Sequence, residues 1–372
     1  MYKKILITGS NGFIAKNLYV NLIKKHPDIE VLKFSRENNL KELQDMVKDV
    51  DLIYHLAGEN RPKDKDSFYK VNQLLTKKIC EILSEHDKNV PIIFSSTTKV
   101  TDNNDYGKSK LAAEKLLEDF SSRNKNKVLI YRLPNVFGKW CKPNYNSVVA
   151  TYCHNIIRDI EIRIDNPDSD LNLIYIDDLV DIFLSLLDEN NKSDFTINNV
   201  DSYKTTVGKL AEDIQSIHKD RLQCQVQDVG VGFKRALYST YLSYLDKGNF
   251  MYDLKSNIDE RGNFVEMLKT ESSGQISFFT ALPGITRGGH FHNTKNEKFL
   301  IISGKAKFRF KNLLDDEFFE LEVNSDNPQI VETIPGWAHD ITNIGETNLL
   351  VMLWSNEIFD EKNPDTYLEV IK

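Results

Sequence analysis

The hydrophobic pattern of the chain changes near residue 250, and this change constrains the fold more than any other feature. Up to about residue 220, short apolar runs alternate with amphipathic stretches of helical length. Such alternation is typical of a parallel sheet covered by helices on both faces. After residue 250 the apolar runs are short and separated by turn residues, which indicates an all-β domain. The 372 residues of the chain are enough for two such domains.

The first part is predicted to be a Rossmann-like α/β domain with a doubly wound parallel sheet. Its strands are expected at 5–8, 31–34, 52–56, 92–94, 128–131 and 172–176, and its helices at about 12–26, 64–86, 107–122, 144–158, 178–188 and 206–218. Residues 225–250 have no clear period and are expected to hold the last helix and the linker. The predicted domains are therefore 1–245 and 250–372.

A glycine-containing turn follows the first predicted strand and opens the first helix. Gly9 and Gly12 permit a tight turn and a close approach of the backbone to a pyrophosphate, and Ala15 still lets the helix pack on the strand. The helix N-terminus adds unpaired N–H groups and a positive dipole end. Glycine also marks ordinary turns, so the strand–turn–helix context carries the prediction of dinucleotide binding. The residues expected to line the cofactor are Gly9, Asn11, Gly12, Phe13 and Ile14.

Arg36 follows the second predicted strand, at the place where a dinucleotide's ribose is recognised. An acidic residue there hydrogen-bonds the 2′-hydroxyl of NAD, whereas arginine suits the 2′-phosphate of NADP. A solvated loop arginine is the alternative interpretation. The sequence therefore favours NADPH as the cofactor.

Tyr106 and Lys110 are four residues apart at the start of a predicted helix. Residues at this spacing share a helix face, so the ammonium can lie near the phenol. A nearby cation favours ionised tyrosine, and we expect it to lower the pKa of Tyr106 from its usual value of ~10. Such a pair can donate a proton to a carbonyl that accepts a hydride. The same spacing also occurs on ordinary helix surfaces.

Together with the glycine turn and the polar run Ser95–Thr98 at a strand end, this pair resembles the extended short-chain dehydrogenase/reductases over roughly residues 1–245. The resemblance implies that Thr97, or alternatively Ser96, orients the substrate. It implies that Tyr106 is the general acid and that Lys110 binds the nicotinamide ribose. One departure is that Lys99 and Val100 stand where many members have Val-Tyr.

Three further segments extend this resemblance. Leu56-Ala57-Gly58 resembles the segment that lines the cofactor after the third strand, so Leu56 and Ala57 are expected to bind it. Asn72 matches an asparagine that supports this segment. The run from Arg132 to Gly138 resembles the segment beside the sugar nucleotide, which implies substrate binding by Asn135.

A second set of residues predicts a metal site. His290 and His292 are two apart, so on a strand their imidazoles point to one face. Glu297 follows a short polar turn, and His339 lies in a second segment. Three imidazoles and a carboxylate suit Zn²⁺, Fe²⁺, Mn²⁺ or Ni²⁺. Surface histidines that are near each other by chance are the alternative, but all three histidines after residue 218 fall in these two segments. We predict one divalent ion per chain, with zinc preferred.

The spacing of these residues resembles the cupin family. From Gly284 to Gly304 the chain matches the first cupin motif at every position. Gly336, His339 and Asn343 match the second, with its proline one place late at position 335. The resemblance implies a small antiparallel barrel or jelly roll that holds the metal in its mouth.

Part of this region resembles one cupin branch, the dTDP-4-keto-6-deoxyhexose epimerases, which invert carbons next to a ketone. The resemblance rests on residues 259–266, on Arg287-Gly-x-His290 and on residues 335–339. It implies substrate binding by Arg287 and a general base at His290. His290 also fits the metal motif and His292 replaces the family's glutamine, so the base stays open. Residues 359–365 resemble the family's C-terminal segment or, equally, a capped surface turn.

The composition of the chain limits the classes of partner and the cellular compartment that are expected. The net charge of −7 and the scattered lysines do not favour nucleic-acid binding. Four widely spaced cysteines without a C-x-x-C pair are typical of reduced thiols in the cytoplasm. The start of the chain leads directly into a short strand, so no signal peptide is expected. No apolar run approaches the ~20 residues of a membrane span.

The two halves together resemble the bifunctional capsular-polysaccharide enzymes of UDP-N-acetyl-L-fucosamine synthesis. This implies a UDP-2-acetamido-4-keto-2,6-dideoxyhexose substrate, C3 inversion by the cupin, and reduction at C4 by NADPH to a 6-deoxy-talose-type sugar. A homodimer is expected because both parent families commonly dimerise. Two alternatives stay open: a simple C4 reductase with a non-catalytic cupin for binding or dimerisation, and a nucleotide-sensing regulatory protein.

Overall fold

The computed structural model describes residues 2–60, 68–86, 88–187, 195–254, 256–259, 262–265, 268–270, 274–357 and 362–371. The resemblances at 259–266 and 359–365 lie partly outside these residues. The chain forms two compact units, one of Met1–Val136 with Leu171–Lys204 and one of Phe137–Asp170 with Thr205–Lys372. The domain boundary near residues 245–250 stays a prediction.

The elements of the α/β part follow one another in the predicted alternation. The strands are β1 (Lys4–Thr8), β2 (Glu30–Phe34), β3 (Leu52–His55), β4 (Ile92–Thr97), β5 (Val128–Leu133), β6 (Asn135–Phe137), β7 (Asp170–Tyr175), β8 (Phe195–Asn199) and β9 (Tyr203–Thr206). The helices are α1 (Phe13–Lys25), α2 (Leu40–Lys48), α3 (Leu75–Glu85), α4 (Asp105–Asn124), α5 (Val148–Ile157), α6 (Ile176–Ser185), α7 (Val207–Leu222) and α8 (Gly232–Leu242). The described residues also form a π-helical stretch (Tyr69–Leu74) and 3₁₀ turns at Thr98–Thr101 and Lys247–Asn249.

The first unit contains a parallel sheet of six strands in the order β2-β1-β3-β4-β5-β8. Apolar side chains of α2, α3 and α4 pack with one face of this sheet, around Leu6 and Ile53. On the other face, the Tyr54 hydroxyl donates to the Phe183 carbonyl oxygen of α6 (2.6 Å) and the two rings are 5.8 Å apart. Helices therefore cover both faces, and the predicted doubly wound sheet is confirmed.

The strand order reverses at β1, which has β2 on one side and β3 on the other. Ligands of open α/β sheets bind at such a switch point, beyond the carboxyl ends of the strands. The glycine turn follows β1 and Leu56 follows β3 directly. The topology thus brings two of the predicted cofactor segments to one place.

Two differences from the prediction concern the first unit. Helix α2 was not predicted, although Asn39 and Glu42 form a capping box at its start and Leu43 and Val47 are fully buried. The capping residues are a sequence signal for a helix N-terminus. The sheet ends in β8 rather than in β7, which occupies the strand predicted at 172–176. Residues Phe195–Asn199 of β8 are half-buried or exposed and three of the five are polar, so they form no apolar run that would predict a strand.

Antiparallel strands dominate the second unit. The strands from residue 225 onwards are β10 (Gln225–Val226), β11 (Met251–Asp253), β12 (Ser256–Asp259), β13 (Gly262–Val265), β14 (Lys269–Thr270), β15 (Gln275–Ala281), β16 (Thr286–Phe291), β17 (Glu297–Ser303), β18 (Lys305–Asn312), β19 (Phe318–Asn324), β20 (Gln329–Glu332), β21 (Trp337–Asn343), β22 (Leu349–Ser355) and β23 (Tyr367–Leu368). Among them, β10 and β14 form a parallel pair. Two five-stranded sheets form, in the orders β11-β20-β17-β22-β15 and β19-β18-β21-β16-β23. Phe299 of one sheet packs on Phe308 of the other, with ring centroids 5.4 Å apart. The predicted all-β jelly roll is confirmed.

Helix α7 contacts the β-domain through buried charges. The Arg221 guanidinium donates to the Glu332 carboxylate (2.8 Å), which also pairs with the Lys298 ammonium. Glu332 and Lys298 are both 1% exposed. Helix α8 is the last helix expected in residues 225–250. None of the helices in the described part of the chain has the length and hydropathy needed to cross a membrane.

Candidate active site and metal centre

The glycine turn has the conformation that the sequence predicts. Gly9 has φ +68°, and a Cβ there would lie 2.6 Å from the Ala57 Cα, so only glycine fits. The Gly12 amide donates to the Gly9 carbonyl oxygen (2.8 Å) and closes the turn. Gly12 is the N-cap of α1 and provides no side chain for its first amides. These amides can therefore bind an anion, as a pyrophosphate requires.

A buried polar network fixes the neighbouring segment after β3. The Thr8 hydroxyl hydrogen-bonds His55 Nδ1 (2.7 Å), and His55 Nε2 hydrogen-bonds the Thr76 hydroxyl (2.8 Å). The Ala57 amide donates to the Thr8 hydroxyl (3.2 Å). Burial lowers the pKa of His55 to about 3, so the imidazole is neutral. This network was not predicted, since its signal in the sequence is no more than a polar residue at the end of each buried strand.

Asn72 supports the same segment, as the family resemblance implies. Its amide oxygen accepts from the Glu59 amide (2.8 Å), and its amide nitrogen donates to the Glu59 carbonyl oxygen (3.0 Å). The amide nitrogen also donates to the Ser109 hydroxyl of α4 (2.9 Å). Asn72 therefore connects the cofactor segment with the helix of Tyr106 and Lys110.

Arg36 follows β2 and forms an ion pair with the Glu59 carboxylate. The Arg36 side chain is 77% exposed, whereas the Glu59 side chain is 8% exposed. The arginine thus lies beside the third-strand segment and keeps an accessible guanidinium. Binding of a 2′-phosphate by this group stays a prediction.

The two candidates for the substrate-orienting hydroxyl have different surroundings. Ser96 donates to the buried Glu114 carboxylate, whereas Thr97 lies near enough to Tyr106 to favour the ionised form of its phenol. The substrate-orienting role of Thr97 stays a prediction. Burial raises the pKa of Tyr106 and outweighs the opposite effect of Thr97. The expected lowering of this pKa by Lys110 is wrong, because desolvation of the phenol dominates.

Lys110 is buried at the carboxyl end of β4. Its ammonium donates to the Ser95 carbonyl oxygen (2.8 Å) and lies 4.6 Å from the centre of the Phe94 ring. A Cβ on Gly58 would lie 3.0 Å from the Lys110 Nζ, so the ammonium contacts the cofactor segment. Burial lowers the pKa of Lys110 to about 8.

Glu114 was not predicted and organises the region behind Thr97. Its carboxylate accepts from both Arg132 Nε (3.1 Å) and Arg132 Nη2 (2.6 Å). It also accepts from Ser96 and is 3% exposed. Arg132 begins the segment expected beside the sugar nucleotide, in which Asn135 is exposed. The substrate-binding role of Asn135 stays a prediction.

In the second unit, the four predicted metal ligands come together. One ligand atom from each of His290, His292, Glu297 and His339 lies within 4.8 Å of the others. Strands β16 and β21 pair His290 directly with His339, and Glu297 begins β17. Ligands on opposite sides of an ion bound at ~2.1 Å are about 4.2 Å apart, so the widest spacing in this cluster would have to shorten by about 0.6 Å around a transition-metal ion.

The hydrogen-bond pattern of the cluster shows which ring nitrogens face the carboxylate. Nε2 of both His292 and His339 lies near Glu297 Oε2, at 3.1 and 3.3 Å. His292 Nδ1 contacts a carbonyl oxygen, which can only accept, so Nδ1 is the donor of this contact. His292 Nε2 and the carboxylate oxygen thus face each other, and either a proton or a metal ion between them would satisfy both.

The pKa values of the cluster fit metal binding. Burial and the neighbouring imidazoles lower the pKa of His290 to about 3, and burial also lowers the pKa of His339. The pKa of Glu297 is well below its usual value because the two neighbouring histidines outweigh burial. Neutral imidazole and ionised carboxylate are the forms that ligate metals.

Two other residues of the cupin resemblance have structural partners. Asn343 is buried, and its amide nitrogen donates to the carbonyl oxygens of Ala281 (3.0 Å) and Thr347 (2.9 Å). Arg287 is exposed, donates to the Thr280 carbonyl oxygen (3.1 Å) and lies over the Phe279 ring. Substrate binding by Arg287 stays a prediction.

Comparisons with known proteins agree with both units. The model of the NAD dependent epimerase/dehydratase family matches residues 5–200, and that of the polysaccharide biosynthesis C-terminal domain matches residues 257–367. A UDP-2-acetamido-2,6-beta-L-arabino-hexul-4-ose reductase of Pseudomonas aeruginosa is 47% identical over 98% of each chain.

Solved structures of CapF cover almost the whole chain. The capsular polysaccharide assembling protein CapF of Staphylococcus aureus is 38% identical, covers 99% of each chain and has a TM-score of 0.66. A CapF structure with the inhibitor 3-isopropenyl-tropolone is 37% identical over 99% of each chain, with a TM-score of 0.63. The similarity thus extends over both units and not only over the nucleotide-binding part.

Proposed function

Because the chain belongs to the NAD dependent epimerase/dehydratase family, we propose that it reduces the C4 ketone of a UDP-linked 4-keto sugar in capsular polysaccharide synthesis. The observation that carries this proposal is that Thr97 and Tyr106 lie near each other at the end of β4, with the buried Lys110 ammonium on the Ser95 carbonyl oxygen. The name of the Pseudomonas relative supports UDP-2-acetamido-2,6-β-L-arabino-hexul-4-ose as the substrate.

The reduction assigns a task to each of these three groups. NADPH supplies the hydride that C4 accepts. Thr97 orients the C4 oxygen, and Tyr106 donates its proton to this oxygen as negative charge develops there. The raised pKa of Tyr106 keeps the hydroxyl protonated, which is the form that a donor needs. Lys110 binds the nicotinamide ribose and places a positive charge beside the reacting groups.

The proposed NADPH site is the switch point of the parallel sheet. The turn Gly9–Ile14 and the first amides of α1 bind the pyrophosphate, with Leu56 and Ala57 on the other side. Arg36 binds the 2′-phosphate with its exposed guanidinium.

We assign C3 epimerisation to the second unit. The C4 ketone makes the C3–H bond acidic, because the resulting enolate spreads its charge onto the ketone oxygen. A divalent ion, zinc in this proposal, would be held by His290, His292, Glu297 and His339 and would supply Lewis-acid polarisation of an oxygen. A His290 that ligates the ion does not serve as the base, so the group that removes the C3 proton is left unassigned.

A single-function reductase with a non-catalytic cupin is the competing proposal. The buried contact between Arg221 and Glu332 favours it, because this ion pair joins a helix to the β-domain. A β-domain with a purely structural role would be held in the same way. In either case we propose a homodimer in the cytoplasm, where the four free cysteines stay reduced.

Product analysis tests the proposal. The full-length protein is incubated with the UDP-linked 4-keto sugar and NADPH, and cofactor absorbance and the NMR spectrum of the product are followed. The proposal predicts NADPH oxidation and a product inverted at C3 and reduced at C4. A product reduced at C4 with C3 unchanged would favour the single-function alternative. No NADPH oxidation would contradict the reductase assignment.

A further inference from the structure

Asp365 lies close to the end of the chain and contacts the turn that connects two of the predicted metal ligands. Its carboxylate accepts from the backbone amides of Asn293 (3.0 Å), Thr294 (2.6 Å) and Lys295 (2.8 Å). It also accepts from the Thr294 hydroxyl (3.1 Å). These donors belong to the polar turn between His292 and Glu297. One carboxylate thus fixes the backbone that sets the distance between two ligands.

The backbone of Asp365 acts on His292 directly. Its carbonyl oxygen accepts from His292 Nδ1, which leaves Nε2 as the atom that faces Glu297. Metal-ligating histidines usually donate their other ring nitrogen to such an acceptor, and this contact fixes the tautomer and the ring orientation. Asp365 therefore orients His292 as well as the turn that follows it.

The segment after Asp365 also pairs with the strand of His290. In β23, Leu368 is opposite His290 and Tyr367 is opposite Phe291. The Tyr367 and Phe291 rings are stacked, with centroids 5.2 Å apart. The Glu369 amide donates to the Gly289 carbonyl oxygen (2.8 Å). Residues 365–369 thus contact the backbone on both sides of the first two ligands.

We propose that Asp365 is a positioning residue of the metal centre, and that docking of the C-terminal segment, residues 362–371, and metal binding stabilise each other. This inference rests on the proposed metal site. The docked segment pre-orients His292 and the 293–296 turn, so the ion binds more tightly when the segment is docked. By thermodynamic linkage, the ion must then strengthen docking by the same factor.

Metal affinity is the first test. The full-length Asp365→Asn variant keeps the size of the side chain but loses the charge and half of the acceptor capacity. Its Kd for Zn²⁺, measured by competition with a chelator, is expected to rise about 10- to 100-fold, as is common when residues that orient metal ligands are changed. Asp326→Asn is the matched control, because Asp326 is exposed in the same domain, and its Kd should equal that of the wild type.

Three outcomes separate the assignments. Equal Zn²⁺ affinity of folded Asp365→Asn and wild type would overturn the positioning role. A lower melting temperature of the zinc-free variant with an unchanged Kd would also overturn it and leave a purely structural role. A wild-type protein that binds no Zn²⁺ would overturn the metal site itself, and the present inference with it, while NADPH-dependent reduction would still be measurable.

Hydrogen exchange tests the reciprocal effect without reference to catalysis. The backbone amides of Asn293, Thr294 and Lys295 are bonded to Asp365 and report docking of the segment. We expect Zn²⁺ to slow their exchange in the wild type by about the factor by which Asp365→Asn weakens metal binding. Exchange that is equal with and without Zn²⁺ would contradict the coupling.

Discussion

Arg36 and Glu59 form an ion pair that joins the segment after β2 to the segment after β3. The carboxylate is buried, and Asn72 binds both backbone groups of the same residue. The fixed Glu59 carboxylate thus holds the Arg36 guanidinium, which itself stays accessible to solvent. The guanidinium lies beside the cofactor segment Leu56–Gly58, which is where the adenosine ribose of a dinucleotide is expected.

Replacing Arg36 should change the use of NADPH and the use of NADH to different extents. A charge-assisted contact with a 2′-phosphate contributes ~1.5–3 kcal/mol, so Arg36→Ala should lower kcat/KM for NADPH roughly 10- to 100-fold. NADH has no 2′-phosphate, and its kcat/KM should hardly change. Steady-state kinetics with both cofactors measure the effect. An equal loss with NADH and NADPH would mean that Arg36 acts through the structure of the Glu59 segment.

Two neighbouring hydroxyls provide a matched pair of variants. Thr97 lies near Tyr106, whereas Ser96 donates to Glu114. Thr97→Val removes the hydroxyl proposed to orient the C4 oxygen and should lower kcat of the reduction about 100-fold. Ser96→Ala leaves both Arg132 contacts of Glu114 in place and should change kcat less than about fivefold, with a loss of about 1 kcal/mol in stability. A larger catalytic loss in Ser96→Ala would reassign the substrate-orienting role.

The lowered pKa of Lys110 gives a pH prediction. The ammonium loses its proton as pH rises through about 8, so kcat/KM for reduction should fall above this pH. The folded pKa lies below the ordinary value of 10.5, so the unfolded chain binds more protons between these two values. This lysine therefore makes folding more favourable as pH rises from about 8 to 10.5. Its deprotonation does not unfold the protein, so unfolding does not explain the expected loss of kcat/KM. A rate that is flat to pH 10 would contradict a role for the charged form.

The buried charges around Glu332 predict a stability difference. Arg221→Ala leaves the Glu332 carboxylate with Lys298 alone and should lower the free energy of unfolding by about 3 kcal/mol. Arg163→Ala is the control, because its ion pair with Asp165 is exposed and should contribute less than about 1 kcal/mol. Urea unfolding followed by tryptophan fluorescence reports the second unit alone, since Trp140, Trp337 and Trp354 all belong to it. Equal midpoints for the two variants would contradict the prediction.

The sequence predicted what depends on local spacing. Gly9 and Gly12 lie in one turn, and His290, His292 and Glu297 lie in one hairpin-like segment, so their geometry follows from residue positions. Contacts between distant segments were not predictable in this way. The hydrogen bond between Thr8 and His55 spans 47 residues, and that from Thr294 to Asp365 spans 71. The predicted lowering of the Tyr106 pKa was wrong for the same reason, because the burial that raises this pKa depends on packing that residue spacing does not specify.

We propose that the two units divide the chemistry, with epimerisation before reduction. C3 loses its proton readily only while C4 is a ketone, so in this proposal the cupin acts first. Its deprotonation of C3 would need neither NADPH nor Tyr106. Tyr106→Phe removes the proton donor of the reduction, a group that typically contributes 10²- to 10⁴-fold in rate.

Deuterium exchange in D₂O without NADPH tests this division most directly. The full-length Tyr106→Phe protein is incubated with the UDP-linked 4-keto sugar, and deuterium at C3 is measured by NMR. We expect exchange at the wild-type rate, with reduction nearly lost once NADPH is added. His339→Ala serves as the reverse control, with no deuterium at C3 and slow but measurable hydride transfer to the unepimerised ketone. A folded Tyr106→Phe protein that no longer exchanges deuterium at C3 would contradict this division of the chemistry between the two units.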